Sequence, residues 1–283
     1  MSVDIPISYF SLRYTFECAN PLTFFGHYNF SEDILAYPFS GSIMKVKFFG
    51  SSKKGKLSIM EGPQNARKEV ISRFRLKDDL KRIYQSINTD DFMAGAIKKY
   101  YGMRVTLNDP WETTLCFIIS QFNNVKRIRK ITLSIIDRFG SDIESTHAAI
   151  KKGFPTSEEL QDATVKELME CGAGFRAKYI KEAAEYCTNN LDLYRLGRLG
   201  YPELKEELMG IKGVGDKVAD CIALMGYGKL EAFPIDVWVK RTLERIYFKS
   251  KDTKIKDLHR FAEQRWQYPG YAQQYLFWAG RHL

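Results

Sequence analysis

The chain has 283 residues, 45% hydrophobic and 27% charged, an ordinary balance for a globular protein and enough for one large or two modest domains. Its formal charge of +9 favours a polyanionic partner, because Lys and Arg gain affinity by releasing phosphate counterions. No apolar run approaches the roughly 18 residues of a membrane span. The N-terminus carries no signal-peptide pattern, and five dispersed cysteines with no C-x-x-C pair argue for a reducing setting and against a disulfide framework or zinc ribbon.

Residues 1 to about 62 alternate at the period of two that half-buried strands require. Arg13-Tyr14-Thr15-Phe16-Glu17-Cys18 and Met44-Lys45-Val46-Lys47-Phe48 both do so, and Gly50–Gly55 separates the second from Lys56-Leu57-Ser58-Ile59-Met60 as a hairpin. The expectation is an antiparallel sheet of four to six strands, stopped at Glu61-Gly62-Pro63.

From Asn65 the period becomes helical. Val70, Ile71 and Phe74 mark one helix, Leu80, Ile83 and Tyr84 the next, and Ile97, Tyr100 and Tyr101 a third. Asp109-Pro110 opens a helix whose Trp111, Leu115, Ile118 and Ile119 place it deep in the core. The helix from Asn124 to Phe139 has a basic first turn (Lys126, Arg127, Arg129, Lys130) and a C-terminal stop at Gly140. Thr156 and Glu159 form a capping box, Ala163–Cys171 a short helix, and Gly172-Ala173-Gly174 a stop before a helix over Arg176–Asn189. Further helices follow over Val237–Tyr247, Leu258–Trp266 and Tyr271–Gly280. The class is α+β: a sheet with a flanking helix over about 1–85, then a mainly helical region over 86–283.

Within that region, at about 203–227, Leu208–Cys221 reads as helix, tight glycine hairpin, helix. Gly213 and Gly215 flank Val214, so the backbone turns sharply and its amides can approach an anion with no Cβ in the way. The second helix starts there, directing free amides and a positive dipole end at the same anion. DNA phosphate fits such a grip; so does a plain helix corner without a ligand. Lys217 occupies the first turn, where the dipole repels a cation. That repulsion favours the neutral amine a Schiff-base lysine needs, although a phosphate contact is the plainer reading. Asp236, in Pro234-Ile235-Asp236-Val237, can cap a helix and also stabilise positive charge developing on a sugar. The misplaced positive charge at Arg127 also points towards an anion.

Gly213-Val214-Gly215-Asp216-Lys217-Val218-Ala219-Asp220-Cys221 followed by Pro234-Ile235-Asp236-Val237 resembles the helix-hairpin-helix, Gly-Pro-Asp superfamily of DNA glycosylases. Asp109–Glu112, Ser120–Ile128, Phe175–Tyr179 and Tyr271–Phe277 make the chain most similar to the eukaryotic-type 8-oxoguanine DNA glycosylases. The resemblance implies a bifunctional glycosylase and abasic-site lyase acting, as a monomer, on duplex DNA that contains an oxidised purine. It implies no metal and no organic cofactor, and a nuclear or nucleoid-associated location in the cytoplasm.

The same resemblance implies individual roles. Lys217 attacks C1′ and Asp236 assists; Cys221 and Phe277 sandwich the flipped base and Gln273 reads its edge; Pro21 lies at the backbone carbonyl that senses N7–H. Phe175 is the aromatic wedge, Arg127 and Arg176 read the orphaned cytosine, and Gly213, Val214, Gly215 and Asn124 belong to the DNA-binding surface. Two positions depart from the pattern. Phe122 replaces the first of three consecutive asparagines, which bears on selectivity for the opposite base. Trp238 replaces a histidine near the lesion's 5′ phosphate, and an indole carries no charge.

Overall fold

The computed structural model describes residues 3–249 and 252–281. Five strands, β1 (Val3–Ile7), β2 (His27–Asn29), β3 (Ile34–Phe39), β4 (Ser42–Ser51) and β5 (Lys54–Glu61), form one antiparallel sheet in the order β1-β5-β4-β3-β2. Turn chemistry sets its hairpins. Ser40 and Gly41 both take positive φ (53° and 70°) between the paired Phe39 and Ser42, the two-residue turn whose twist matches that of its strands. Val46, Phe48, Leu57 and Ile59 carry the sheet's main buried face, while Ala36 and Ile43 pack with Ile150 in a small separate cluster.

The segment Arg13–Cys18 corrects the strand expectation. It lies mostly in a helix, α1 (Leu12–Glu17), capped by Ser11, whose Oγ accepts the Tyr14 amide at 3.2 Å. Leu12, Thr15 and Phe16 are buried, an i, i+3, i+4 face. Six residues fit either period, and the cap decides. The short helix α2 (Pro21–Phe25) follows, opened by a capping box between Asn20 and Thr23.

The body consists of α3 (Ala66–Arg73), α4 (Leu80–Ile87), α5 (Asp91–Lys99), α6 (Pro110–Ser120), α7 (Val125–Phe139), α8 (Ser157–Gln161), α9 (Val165–Glu170), α10 (Arg176–Asn189), α11 (Tyr201–Met209), α12 (Asp216–Gly226), α13 (Val237–Leu243), α14 (Ile255–Arg265) and α15 (Pro269–Gly280). Asp109 caps α6, its Oδ1 accepting the Trp111 and Glu112 amides at 2.8 and 3.1 Å. Leu115, Ile118 and Ile119 of α6 are fully buried, each stabilising the fold by about 1.5–3 kcal/mol. This helix is the spine on which α7, α10 and α12 pack.

One apolar cluster runs from Ile5 in the sheet to Leu276 in α15, so sheet and helices share a core. Gly140 does end α7, but with φ −71° rather than in a left-handed cap. Glycine is required there because a Cβ would fall 2.1 Å from the Gly153 carbonyl oxygen.

Candidate active site

The hairpin between α11 and α12 divides its work between two glycines. Gly213 makes the turn: its φ is 86°, and a Cβ would lie 2.7 Å from Cβ of Tyr179. Gly215 keeps the approach open, since a Cβ there would meet nothing within 4 Å. It is the N-cap of α12 and offers no side-chain cap, which leaves first-turn amides for an outside anion. Val214 is buried and serves as packing under the turn.

Behind the hairpin lies a cavity of about 230 Å³ whose walls include Lys217, Cys221, Asp236, Trp238, Gln273 and Phe277. Of the expected catalytic and base-pocket residues, only Pro21 is absent from it. Lys217 is half-buried, with its Nζ 5.3 Å from the centroid of the Phe117 ring. Cys221 sits one turn further along α12. Burial pushes its thiol up to about 11 although Lys217 pulls the other way, so the sulfur is a neutral, polarisable wall rather than a rival nucleophile.

Asp236 caps α13: its Oδ1 accepts the Trp238 and Val239 amides at 3.0 and 2.8 Å, and Oδ2 takes no hydrogen bond from the described residues. The cap therefore engages one oxygen and leaves the other to the cavity. Gln273 is buried, and its Oε1 accepts from Nε2 of Gln274 at 2.6 Å, which holds the side-chain amide in place. Gln274, Phe117 and Arg281 belong to this wall and were missed from sequence. The Gln273-Gln274 doublet was the one visible signal among them.

The rim is built on the loop between α6 and α7. Gln121 donates to the Gly213 carbonyl at 3.0 Å, tying this loop to the hairpin. Asn124 caps α7 by accepting the Arg127 amide at 3.0 Å and also lines the cavity. Phe122 is 93% exposed with φ 47°, left-handed backbone that a bulky residue rarely adopts. Its ring lies 6.4 Å from that of Phe175, itself 55% exposed. The two rings come from neighbouring segments and stand out into solvent together, although Phe175 also rests on the Arg176 guanidinium at 4.4 Å and the Tyr179 ring at 6.2 Å.

Two of the expected residues, Arg176 and Pro21, stand differently from the roles given them, and one arginine of the basic turn points inward. Arg176 is only 2% exposed, and its guanidinium donates to the carbonyls of Gln121, Phe122 and Ala173. In this state it holds the Phe122 loop and has no free edge for a base. Arg129 turns inward from the basic turn of α7, donating to the Thr23 and Gly26 carbonyls at 3.2 and 2.6 Å and satisfying the end of α2; Lys126, Arg127 and Lys130 remain exposed. Pro21 is buried as the first residue of α2, and Cys18 and Ala19 form the cavity wall in its place. Trp238, uncharged itself, lies 5.7 Å from the Arg241 guanidinium, which restores positive charge at that edge.

A wider cleft of about 820 Å³ lies elsewhere, lined by Arg73, Asp109 and Glu112 among others. Its charges already bind one another or a helix end, and it holds no lysine.

Comparison with known proteins agrees with this geometry. A family model described as HhH-GPD superfamily base excision DNA repair protein matches residues 115–267, from α6 to just beyond α14. The N-glycosylase/DNA lyase of Saccharomyces cerevisiae is 37% identical over 66% of this chain, an alignment that spans 53% of the yeast protein. The structure of MBOgg1 in complex with a low-affinity DNA ligand superposes with a TM-score of 0.91 at 32% identity, covering 99% of this chain and 96% of that one. The 8-oxoguanine glycosylase/lyase of Clostridium acetobutylicum, bound to duplex DNA with cytosine opposite 8-oxoguanine, superposes with a TM-score of 0.89 at 28% identity, covering 100% of this chain and 98% of its own.

Proposed function

The chain belongs to the HhH-GPD superfamily of base excision DNA repair proteins, and from that premise we propose that it excises 8-oxoguanine from duplex DNA and then nicks the abasic site. The observation that carries this reading is one cavity holding an amine, a carboxylate with an open oxygen and an amide reader, directly behind an anion-accepting hairpin.

The hairpin amides take a backbone phosphate without regard to sequence, and the damaged nucleotide swings out at a cost of a few kcal/mol in stacking and pairing. Cys221 and Phe277 receive the base between them while Gln273 reads its edge. Lys217 Nζ forms a bond to C1′ as the C1′–N9 bond breaks and the base departs with the bonding pair. The open oxygen of Asp236 stabilises the cationic sugar in between. Loss of a proton and sugar-ring opening give the Schiff base, which then loses a C2′ proton and expels the 3′ phosphate in β-elimination. Hydrolysis of the imine returns the free amine.

Phe175, with Phe122 beside it, fills the gap that the extruded nucleotide leaves. Stacking by two phenyl rings holds the orphaned base through its π face, which every base has; discrimination for cytosine is then weaker than a hydrogen-bonding reader would give. Both reacting side chains and the cavity walls come from one chain, so a monomer suffices. No helix among the described residues is long and apolar enough to cross a membrane, and the enzyme works where the DNA lies, in a nucleoid or a nucleus.

Borohydride trapping on duplex DNA containing 8-oxoguanine is the test. The wild-type chain gives a covalent adduct, and Lys217→Gln binds the duplex but gives none, with turnover down at least roughly 10³-fold. An adduct that persists in Lys217→Gln would move the nucleophile elsewhere.

A further inference from the structure

On the side of α12 away from the cavity, Asp216 and Asp220 lie one turn apart and face His259 of α14. We propose that these three side chains bind one divalent transition-metal cation. Their ligand atoms all lie within 4.8 Å of one another. His259 Nε2 is 3.8 Å from Oδ2 of Asp216 and 3.9 Å from Oδ2 of Asp220. Those separations are too long for hydrogen bonds. Two metal–ligand bonds of about 2.1 Å span these separations at about 130–136°, so the ligand atoms close in by about 0.4–0.5 Å to reach a tetrahedral angle on the ion.

The second observation is independent of spacing. Asp220 is 0% exposed, and both its Oδ2 and His259 Nε2 are buried atoms with no hydrogen-bond partner. A buried carboxylate oxygen left without a partner costs more than a neutral group would, yet the other oxygen of the same carboxylate is fully used. Oδ1 of Asp220 accepts from Tyr201 at 2.6 Å and pairs with Lys205 Nζ at 2.8 Å, and Lys205 reaches Oδ1 of Asp216 at 2.8 Å as well. Each carboxylate thus gives Lys205 one oxygen and turns the other to His259. One ammonium against two carboxylates leaves negative charge at the imidazole, which is what a cation needs.

Beside the cluster lies a cleft lined by Tyr201, Lys205, Glu206, His259 and Glu263, which gives an ion an approach from the imidazole side. One imidazole with two carboxylates selects zinc, cobalt, nickel or manganese over calcium or magnesium. Bound there, the ion ties α14 to the first turn of α12, one residue before Lys217. The inference does not depend on which base the enzyme removes.

Titration of the full chain with Co²⁺ tests it. One equivalent binds saturably, with d–d absorption and no sulfur-to-cobalt charge-transfer band, and Zn²⁺ displaces it. His259→Gln and Asp216→Asn each weaken binding at least tenfold while far-ultraviolet circular dichroism stays native. Asp216 is half-exposed, so Asp216→Asn keeps the test intact if His259→Gln fails to fold. Absence of saturable binding, a charge-transfer band that reveals a cysteine site, or unchanged affinity in a folded variant overturns the proposal.

Discussion

Two groups of charged and polar side chains meet α6, one near each end. At its N-terminal end Arg73, 3% exposed, donates to Glu69, to Asn108 at 3.2 Å and to Glu112 at 3.0 Å, and stacks 5.1 Å from the Tyr37 ring. Beyond its C-terminal half, Lys217, Asp236 and Gln273 line a cavity, and among the described residues one oxygen of Asp236 accepts no hydrogen bond and the amide nitrogen of Gln273 donates none. The residue types are alike: a cationic side chain, at least one carboxylate and an amide in both. What separates them is saturation. A cluster whose charged groups pair with one another holds the fold together, whereas one whose charged groups face empty space has a substrate to meet. Arg104 and Arg176 fall on the saturated side, both spent on backbone carbonyls.

Breaking the saturated cluster should cost folding. Arg73→Met leaves Glu112 and Glu69 without their buried cation, and a loss of about 3–5 kcal/mol is expected in urea or thermal unfolding. The surviving folded fraction should still form the borohydride adduct at the wild-type rate per folded molecule. A variant of native stability with impaired trapping would reverse the two assignments.

Breaking the open cluster should cost chemistry. Asp236→Asn keeps a good helix cap, since Asn caps about as well as Asp, but removes the charge facing C1′. Single-turnover base release should fall by about 10²–10³-fold with duplex affinity within a few-fold of wild type. If affinity falls as far as the rate does, the carboxylate is a cap and nothing more.

How much of this contrast was legible in the sequence depended on the range of the signal. Caps, boxes and glycine turns act within four residues, so Asp109, Thr156 with Glu159 and the Gly213–Gly215 hairpin stand where they were expected. Alternation over six residues did not distinguish α1 from a strand, because the deciding atom was the hydroxyl of Ser11 just outside the window. Saturation could not be read at all. The carbonyls that occupy Arg176 come mainly from a loop 54 and 55 residues away, and those that occupy Arg129 from 103 and 106 residues away. A basic first turn looks the same whether its arginines meet DNA or a buried helix end. The resemblance named the pocket's readers but not their supports, Gln274 and Phe117.

Gln274 sharpens the comparison because it belongs to both kinds. Its Nε2 is spent on Gln273, while its own Oε1 is buried with no partner. Gln274→Met keeps the length of the side chain and removes the donor, freeing the reader to turn. Excision of 8-oxoguanine should slow by about threefold to tenfold, the worth of one net hydrogen bond. Nicking of a preformed abasic site, which has no base to read, should be unchanged. Equal loss on both substrates would mean that Gln274 serves the fold rather than the reading of the base.

The smallest effect is expected where a cluster is saturated but exposed. Glu167 accepts the Thr164 amide and hydroxyl at 2.9 and 2.7 Å, and Arg138 reaches it from α7 at 3.1 Å. The Thr164 amide leads these interactions in holding the Glu167 carboxyl down at about 2. A carboxyl whose pKa is depressed on folding contributes stability in full above its unfolded pKa, about 4.3 for Glu, and loses it as pH falls towards the folded value. The melting temperature of the wild type should therefore exceed that of Glu167→Gln at pH 7 and at pH 5.5 by the same small margin. Between about pH 4.3 and pH 2 that margin should close. Added salt should trim it, because Arg138 and Glu167 are both more than a third exposed and the ion pair is screened. A margin that does not change down to pH 2 would assign the stabilisation to the neutral capping geometry, and the charge on Glu167 would then contribute nothing to holding α9 against α7.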